Sequence, residues 1–239
     1  MAGLKLGIPA KGRLRLAAVD WLGSVGLTVI PADSDREYAG HLSGDSRIEP
    51  VFLPASEIPG ELDAGQLHLG VTGQDLIRER LPFRTTRVAE LLPLGFGFAE
   101  LVIAVPDAWA DVVSVDDLDA VAGAFRNVHG RPLRIATKYH NLVRSFLAER
   151  ELADYRLVDS QGATEATVRN LTAEAIADIT ATGQTLRANH LRILDDGMIL
   201  SSQAVLAASH SAPWRGDDRS TLLGLADRAG FSLPVGLGT

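Results

Sequence analysis

Short runs of apolar residues alternate with amphipathic segments along almost the whole chain. The apolar runs have the length of buried β-strands. They lie at residues 4–8, 48–53, 67–71, 101–105, 133–137, 155–158 and 176–179. Apolar positions at helical spacing follow several of these runs, at residues 12–25, 74–80, 141–150 and 182–189. Strands that alternate with helices are typical of α/β proteins, so the pattern predicts a largely parallel sheet with helices on both faces.

The region after residue 190 follows a different pattern. Two apolar runs, residues 191–194 and 198–206, flank the sequence Asp195-Asp196-Gly197. Asp-Gly between apolar runs is a strong signal for a tight turn, so we expect a β-hairpin here. A polar stretch at residues 214–220 then precedes a short helical pattern at residues 222–228.

The chain is long for one sheet of this kind, yet it contains no long Gly- or Ser-rich linker. Charged, small and proline residues are concentrated at residues 106–119. We therefore expect two lobes connected by ordinary strands, rather than two domains on a flexible tether.

Composition excludes several classes of function. The 239 residues contain no cysteine, so disulfides and thiolate chemistry are excluded. The formal net charge of −7 argues against broad binding to nucleic acid or to an anionic membrane. No apolar run approaches the roughly 20 residues that span a bilayer, and basic residues interrupt the apolar N-terminus, so we expect a cytoplasmic protein.

The most informative segment is the junction between the run at 176–179 and the helix that follows. Main-chain N–H groups at a strand–turn–helix junction can bind a phosphate, and Gly183 allows the backbone to approach it closely. The hydroxyls of Thr182 and Thr185 can add donors, while the carboxylate of Asp178 suits a pair of sugar hydroxyls. A plainer interpretation is that Thr182 only caps the helix and Asp178 only ends the strand.

Other phosphate and metal motifs are missing from the sequence. No Gly-Lys-Ser/Thr stands at P-loop spacing, and no Gly-x-Gly-x-x-Gly follows a strand. His, Asp and Glu do not cluster at metal-ligand spacing, so we expect no metal held by protein ligands alone.

The segment Ala177-Asp178-Ile179-Thr180-Ala181-Thr182-Gly183-Gln184-Thr185-Leu186-Arg187-Ala188-Asn189 resembles the phosphoribosyl-pyrophosphate loop of the ATP phosphoribosyltransferase family, which catalyses the first step of histidine biosynthesis. Other segments resemble the same family in the same order, over about residues 4–209. They are Lys11-Gly12-Arg13-Leu14, Arg36-Glu37-Tyr38, Gly70-Val71-Thr72-Gly73-Gln74-Asp75-Leu76, Arg134-Ile135-Ala136-Thr137-Lys138-Tyr139 and Gly162-Ala163-Thr164-Glu165. Each segment is weak alone, but their collinearity is specific.

The resemblance implies both a reaction and a fold. The expected reaction moves the 5-phosphoribosyl group of phosphoribosyl pyrophosphate to N1 of the adenine of ATP and releases pyrophosphate. The expected fold is α/β, with two lobes like those of type II periplasmic binding proteins, a mixed sheet in each lobe and substrates in the cleft between them. We expect residues 1–98 with 210–239 in the first lobe, and residues 99–209 in the second.

The resemblance also implies residue roles. Asp178 and Glu165 are expected to bracket the ribose hydroxyls and to stabilise developing positive charge. The turn that holds the 5-phosphate is expected to comprise Ala181, Thr182, Gly183, Gln184 and Thr185. Residues expected at phosphates or in the ATP site are Lys11, Arg13, Arg36, Gly73, Asp75, Thr137, Lys138 and Tyr139. Each of these could instead be an ordinary cap, salt bridge or surface residue.

Mg²⁺, bridged by substrate phosphates, is the expected cofactor. Only about 30 residues follow Ser209, too few for the C-terminal regulatory domain of the long form of this enzyme. The chain therefore resembles the short form, which works with a regulatory subunit similar to histidyl-tRNA synthetase. The resemblance thus implies a hetero-oligomer with self-association. Two departures stand out in the turn, where Ala181 and Thr180 replace a usual serine and a usual aliphatic residue.

Two alternative functions compete with this one. A non-enzymatic solute-binding module can share the two-lobe fold, but it needs no carboxylate beside a phosphate turn. A phosphoribosyltransferase of the unrelated Rossmann-like type usually carries two adjacent carboxylates directly before its phosphate loop. Asp178 has no acidic neighbour in the sequence, which counts against that type.

Overall fold

A computed structural model describes residues 3–31, 40–82, 87–160, 162, 164–234 and 236–237. The chain divides into two compact units. Unit 1 comprises Met1–Gly97 and Gln203–Thr239, and unit 2 comprises Phe98–Ser202.

Unit 1 contains seven strands and four helices within its described residues. The strands are β1 (Leu4–Pro9), β2 (Thr28–Pro31), β3 (Gly40–Ser43), β4 (Ile48–Leu53), β5 (Leu69–Gly73), β6 (Val88–Pro93) and β12 (Ala204–Ser209). The helices are α1 (Gly12–Ser24), α2 (Ile58–Asp63), α3 (Gln74–Arg80) and α8 (Gly216–Ala229).

Five of the unit 1 strands form a mixed sheet in the order β4-β1-β5-β12-β6, and β2 pairs with β3 in a separate ribbon. Strand β1 runs parallel to both β4 and β5, whereas β12 runs antiparallel to β5 and β6. The core forms where α1 and α8 cover this sheet with buried aliphatic side chains. Leu6, Leu22, Val71 and Leu222 are fully buried in it.

In the described part of unit 2 there are five strands and four helices. The strands are β7 (Ala99–Pro106), β8 (Leu133–Thr137), β9 (Tyr155–Asp159), β10 (Ala175–Thr180) and β11 (Leu191–Ser202). The helices are α4 (Val115–His129), α5 (His140–Glu149), α6 (Ala166–Arg169) and α7 (Gln184–Ala188). The sheet order is β11-β7-β10-β8-β9, with β8, β9 and β10 mutually parallel and β7 antiparallel to β10 and β11. The α/β class with a mixed sheet in each unit is thus confirmed.

The hairpin predicted around Asp195-Asp196-Gly197 is wrong. Strand β11 continues through this sequence and stays paired with β7, from Leu191 opposite Pro106 to Ser202 opposite Ala99, with register shifts between Ile193 and Leu200. The reason lies in the acidic side chains, because Asp196 binds groups outside the sheet instead of closing a turn. Its carboxylate accepts the N–H of Val115 at 2.8 Å and Nη1 of Arg150 at 2.6 Å.

The expected lobe boundary at residue 209 also differs from the structure. Strand β12 lies in unit 1, because it pairs antiparallel with β5 from Ala204 opposite Gly73 to Ala208 opposite Leu69. The only boundary signal in the sequence is the short polar stretch Ser201-Ser202-Gln203, which interrupts the apolar run 198–206 between β11 and β12. Among the helices of the described ranges, none combines the length and apolar character needed to cross a bilayer.

Candidate functional site

In unit 1, the carboxyl ends of three parallel strands meet at one edge of the sheet. The register pairs Gly7 of β1 with Val51 of β4 and with Gly70 of β5, so the three strands end side by side. Ala10 continues this alignment, since its N–H donates to the carbonyl of Leu53 at 2.8 Å. In open α/β sheets, ligands bind outside this edge. Helices α1 and α3 both begin here.

The first turn of α1 offers a concentration of positive charge to an anion. Lys11 is the N-cap and has an extended backbone, and its side chain forms no capping bond. No acidic residue occupies the first turn of this 13-residue helix, so no carboxylate competes for its N–H groups. The side chains of Lys11 and Arg13 are exposed beside those groups. The arrangement favours a phosphate.

Helix α3 begins directly at the end of β5 and holds two candidate residues. Gly73 is its N-cap, and a Cβ atom there would collide with the carboxylate of Asp75. Asp75 is itself buried in the first turn. The N–H of Gln74 donates to the carbonyl of Gln203 at 3.0 Å, which joins this turn to the start of β12. Gly73 and Asp75 therefore form a compact, preformed turn between β5 and α3 at this edge of the sheet.

Unit 2 repeats this arrangement with its own parallel strands. Thr137, the last residue of β8, pairs with Ala177 of β10 and with Asp159 of β9. Lys138 and Ser160, the next residues of β8 and β9, therefore leave the sheet at this edge, next to Asp178 of β10, which stays paired with Val102 of β7. The structure thus brings the three separate motifs of this unit together.

Of the three candidates around the end of β8, only Lys138 has an exposed side chain. Thr137 and Tyr139 are buried, because the hydroxyl oxygen of Thr137 accepts the N–H of Tyr139 at 2.9 Å and folds the chain back into α5. The family resemblance implies that all three line the site. Lys138 is therefore the candidate that can present a charge to a ligand.

The turn at residues 181–185 is a compact bend fixed by several hydrogen bonds. Gly183 has φ +66°, a left-handed conformation that favours glycine. Its N–H donates to the hydroxyl oxygen of Thr180 at 2.8 Å, and Nη2 of Arg187 donates to the carbonyl of Thr182 at 2.8 Å. Within the described residues, no internal acceptor meets the N–H groups of Ala181, Thr182 and Thr185. These N–H groups can therefore donate to a bound anion.

The two candidate carboxylates lie at the same edge as this turn. Asp178 is half-buried, and its Oδ1 accepts the N–H of Ile179 at 2.8 Å, which fixes the carboxylate beside the strand end. Glu165 is half-buried at the start of α6 and forms no capping bond. The loop that carries it is closed by a 2.9 Å hydrogen bond between the buried hydroxyls of Ser160 and Thr164.

Two residues near Asp178 escaped the sequence analysis. Thr180 was noted only as a departure, whereas its hydroxyl fixes Gly183. Glu100 of β7 pairs with Thr180 across the sheet, so its side chain lies on the same face as Thr180 and Asp178. Val102 lies directly opposite Asp178, and Glu100 is its diagonal neighbour on the same face, so an acidic residue lies near Asp178 although none is adjacent in the sequence. No local signal could have revealed it, because the pairing depends on the register of β7.

The opposite end of these strands is held by a half-buried ion pair between Glu174 and Arg134. Burial alone would raise the pKa of Glu174, but hydrogen bonds from Arg134 and Arg131 outweigh it and lower that pKa to about 2. Arg134 donates from its main-chain N–H at 2.8 Å and from Nη2 at 2.7 Å. This pair ties the start of β8 to the start of β10 and so supports the register on which the site depends.

Two further points from the sequence concern Arg36 and a metal site. Arg36 lies outside the described residues. Among the residues that the structure does describe, no group of three or more His, Cys, Asp or Glu side chains is arranged to hold a metal ion.

Comparison with known proteins gives consistent matches. A family model for ATP phosphoribosyltransferase matches residues 54–225. An ATP phosphoribosyltransferase of Cereibacter sphaeroides is 56% identical over 234 residues, which are 98% of this chain and 99% of that protein. The ATP phosphoribosyltransferase of Afipia carboxidovorans is 49% identical over 90% of this chain, which spans 66% of that relative.

Solved structures share the fold. The ATP phosphoribosyl transferase (HisG:HisZ) complex from Thermotoga maritima contains a chain that matches with a TM-score of 0.70 at 22% identity, over 95% of this chain and 96% of that chain. The periplasmic aliphatic sulphonate binding protein of Escherichia coli matches with a TM-score of 0.51 at 17% identity, over 96% of this chain and 73% of that chain. At these identities the likeness concerns the fold alone.

Proposed function

The chain belongs to the ATP phosphoribosyltransferase family, and from that premise we propose how its residues divide the work of the reaction. The enzyme transfers the 5-phosphoribosyl group of phosphoribosyl pyrophosphate to N1 of the adenine of ATP in histidine biosynthesis, and pyrophosphate leaves. The non-enzymatic solute-binding alternative has only the shared fold in its favour. No protein nucleophile is required, because adenine N1 attacks with its own lone pair. The protein positions two polyanions and stabilises the charges that develop.

The turn at residues 181–185 binds the 5-phosphate of the ribosyl donor in this proposal. One observation supports this proposal most strongly. At one edge of unit 2, the half-buried carboxylate of Asp178 lies near a fixed turn whose main-chain N–H groups can donate to an anion. The positive φ of Gly183 turns the backbone toward an anion without a side chain in the way. The backbone would bind the phosphate even though Ala181 lacks the hydroxyl of the usual serine.

Asp178 and Glu165 act on the ribose. As pyrophosphate leaves, positive charge develops at ribose C1 and the ring oxygen. A carboxylate fixed close to the ring stabilises that charge more in the transition state than in the ground state. The same carboxylates accept hydrogen bonds from the ribose hydroxyls. The bond from Ile179 N–H holds Asp178 in place before the substrate arrives, which limits the reorganisation needed during the reaction.

The unit 1 edge neutralises phosphates. Lys11 and Arg13 stand exposed at an uncapped helix start, and they would contact the phosphates of ATP or of the leaving group. Gly73 and Asp75 form a preformed wall for the nucleotide. Lys138 supplies a further cation from unit 2, and Arg36 completes the set by family resemblance.

Mg²⁺ enters this proposal as part of the substrate. The ion binds substrate phosphates readily and keeps several of its own waters, so it needs few protein ligands. It would neutralise the leaving pyrophosphate.

A regulatory subunit similar to histidyl-tRNA synthetase is the proposed partner, in a hetero-oligomer with self-association, and the cytoplasm is the proposed compartment. The support for the partner is the likeness to a chain of the ATP phosphoribosyl transferase (HisG:HisZ) complex from Thermotoga maritima. The relative from Cereibacter sphaeroides, which this chain matches over 99% of its length, is similar in size. Feedback by histidine would then act through the partner.

The experiment follows phosphoribosyl-ATP by its near-ultraviolet absorbance, with both substrates and Mg²⁺, with and without the candidate partner. Lys11→Gln is expected to raise the KM for a phosphate-bearing substrate about tenfold, whereas Arg144→Gln, an exposed substitution on α5, changes nothing. Histidine should inhibit the complex and leave the isolated chain unaffected. Strong inhibition of the isolated chain by free histidine would refute the partner proposal, and an unchanged KM in Lys11→Gln would refute the role of α1.

A further inference from the structure

A pocket lies at the end of the unit 1 sheet opposite the edge that is proposed to bind substrate. It has a volume of about 340 Å³, and its polar lining includes Lys5, Gln66, His68, Arg215 and Asp218. Lys5 lies near the start of β1 and His68 directly precedes β5, whereas Lys11 and Gly73 mark the ends of these strands. Because the two strands are parallel, the pocket and the substrate edge are separated by the length of a strand, about 20 Å.

The wall of this pocket is held in a fixed shape. The hydroxyl oxygen of Ser209 accepts the N–H groups of Ser211 and Ala212, each at 3.1 Å. The carbonyl of Ser209 accepts the indole N–H of Trp214 at 2.8 Å. A Cβ atom on Gly65 would lie 2.6 Å from the carbonyl oxygen of Ser211, so the facing loop packs directly against this wall. The pocket is therefore preformed.

His68 provides an unused donor inside the pocket. Its side chain is 8% exposed, and the ring lies edge-on to that of Trp214. Nδ1 accepts the main-chain N–H of Lys5 at 3.1 Å, so the proton of the neutral ring sits on Nε2. Burial lowers the pKa of His68, although Asp218 and the nearby main-chain carbonyl of Pro213 oppose it, and this net lowering favours the neutral ring. Nε2 is buried and has no hydrogen-bond partner among the described residues.

Asp218 provides the complementary acceptor. Its side chain is 6% exposed, and its Oδ2 lies 3.8 Å from Nε2 of His68, which is too far for a direct hydrogen bond. The same oxygen accepts the N–H of Arg215 at 3.0 Å, so the carboxylate is fixed. A hydroxyl group placed between the two residues can accept from Nε2–H and donate to Oδ2. A carboxylate or a phosphate oxygen at this position would be repelled by Asp218.

The other charged side chains that line the pocket are cationic. The ammonium of Lys5 and the exposed guanidinium of Arg215 outnumber the single carboxylate of Asp218. One bridging water would occupy roughly 30 Å³, whereas the pocket has the volume of a small-ligand site. We propose that this pocket binds a small phosphate ester that carries a hydroxyl group. The hydroxyl lies between His68 and Asp218, and the phosphate contacts Lys5 and Arg215.

The test uses the full chain labelled with ¹⁵N-histidine and a long-range ¹H–¹⁵N spectrum, which reports which ring nitrogen carries the proton. Glycerol 3-phosphate is the probe, with glycerol and inorganic phosphate as separate arms. We expect a saturable shift of the His68 Nε2 signal with the ester, and binding at least about tenfold weaker with either fragment. His68→Gln identifies the signal, and the shift of Trp214 fluorescence serves as a second readout if that variant does not fold.

Three substitutions on the protein complete the test. Lys5→Gln and Arg215→Gln keep the main-chain N–H groups that bind His68 and Asp218, and each should raise the Kd about three- to tenfold. Arg219→Gln, on the same helix but outside the pocket lining, should leave the Kd unchanged. The proposal is overturned if the ester causes no saturable shift, if glycerol alone binds as well, or if neither substitution weakens binding.

Discussion

The hydroxyl oxygen of Thr180 accepts a hydrogen bond from the main-chain N–H of Gly183, at 2.8 Å. This bond joins the end of β10 to the centre of the turn proposed to bind the 5-phosphate. It uses one N–H group of the turn and fixes the bend that presents the others. The departure from the usual aliphatic residue at position 180 thus has a structural consequence, because an aliphatic side chain has no acceptor.

Thr180→Val is predicted to weaken binding of phosphoribosyl pyrophosphate while it preserves the shape of the side chain. Loss of one neutral hydrogen bond costs about 1 kcal/mol, so the KM for this substrate should rise about fivefold. The KM for ATP should stay unchanged, and Thr180→Ser should retain wild-type behaviour. Steady-state kinetics with each substrate varied separately provides the measurement. Equal changes in both KM values would show that Thr180 has no specific link to this turn.

Gly183→Ala is predicted to impair both stability and activity. The positive φ costs an alanine about 1 kcal/mol, and the new Cβ would lie 2.8 Å from Nη1 of Arg187. Gly130 is a matched control, because it ends α4 with φ +65° and has open space around its Cβ position. Gly130→Ala should lose similar stability in urea denaturation but keep full turnover. Similar turnover in the two variants would contradict the role of the turn.

The sequence predicted the elements that bear the site better than the site itself. The bounds of β4, β8 and α3 agree with the sequence pattern, because buried parallel strands and short amphipathic helices leave strong local signals. The end of β8, directly before Lys138, agrees with the sequence pattern. The sequence placed the end of β10 at Asp178, whereas this strand continues to Thr180 because it stays paired with β7. The proximity of Glu100 to Asp178 could not be predicted, because it depends on the pairing of β7 with β10.

The Asp195-Asp196-Gly197 sequence shows why the hairpin prediction failed. Contacts with residues distant in the sequence outweigh the local preference for a turn, because Asp196 accepts hydrogen bonds from Val115 and Arg150 while β11 stays paired with β7.

Asp196→Ala is predicted to reduce the free energy of unfolding by about 2 kcal/mol. Asp195→Ala is the control, because its main-chain N–H donates to the carbonyl of Val113 while its side chain forms no hydrogen bond within the described part of the chain. Urea denaturation compares them, and equal losses would contradict this explanation.

Acid should destabilise the protein through Glu174. The pKa of this residue is about 2 in the folded state and near 4.5 without its partners. Between these values the unfolded chain binds more protons, so stability is present above about pH 4.5 and is lost as the pH falls toward 2. Glu174→Gln should flatten this part of the pH profile and cost about 2 kcal/mol at pH 7. Glu149→Gln, at the exposed end of α5, should not change the profile.

The most direct test of the account is kcat/KM for phosphoribosyl-ATP formation in Asp178→Asn. An asparagine can still accept the N–H of Ile179, so the fold should persist while the negative charge beside the ribose is lost. Asp107→Asn, beyond the opposite end of the same sheet, is the matched control. The account predicts a loss of at least about 100-fold for Asp178→Asn and none for the control. Activity within about twofold of wild type in a folded Asp178→Asn variant would contradict the proposed role of this carboxylate.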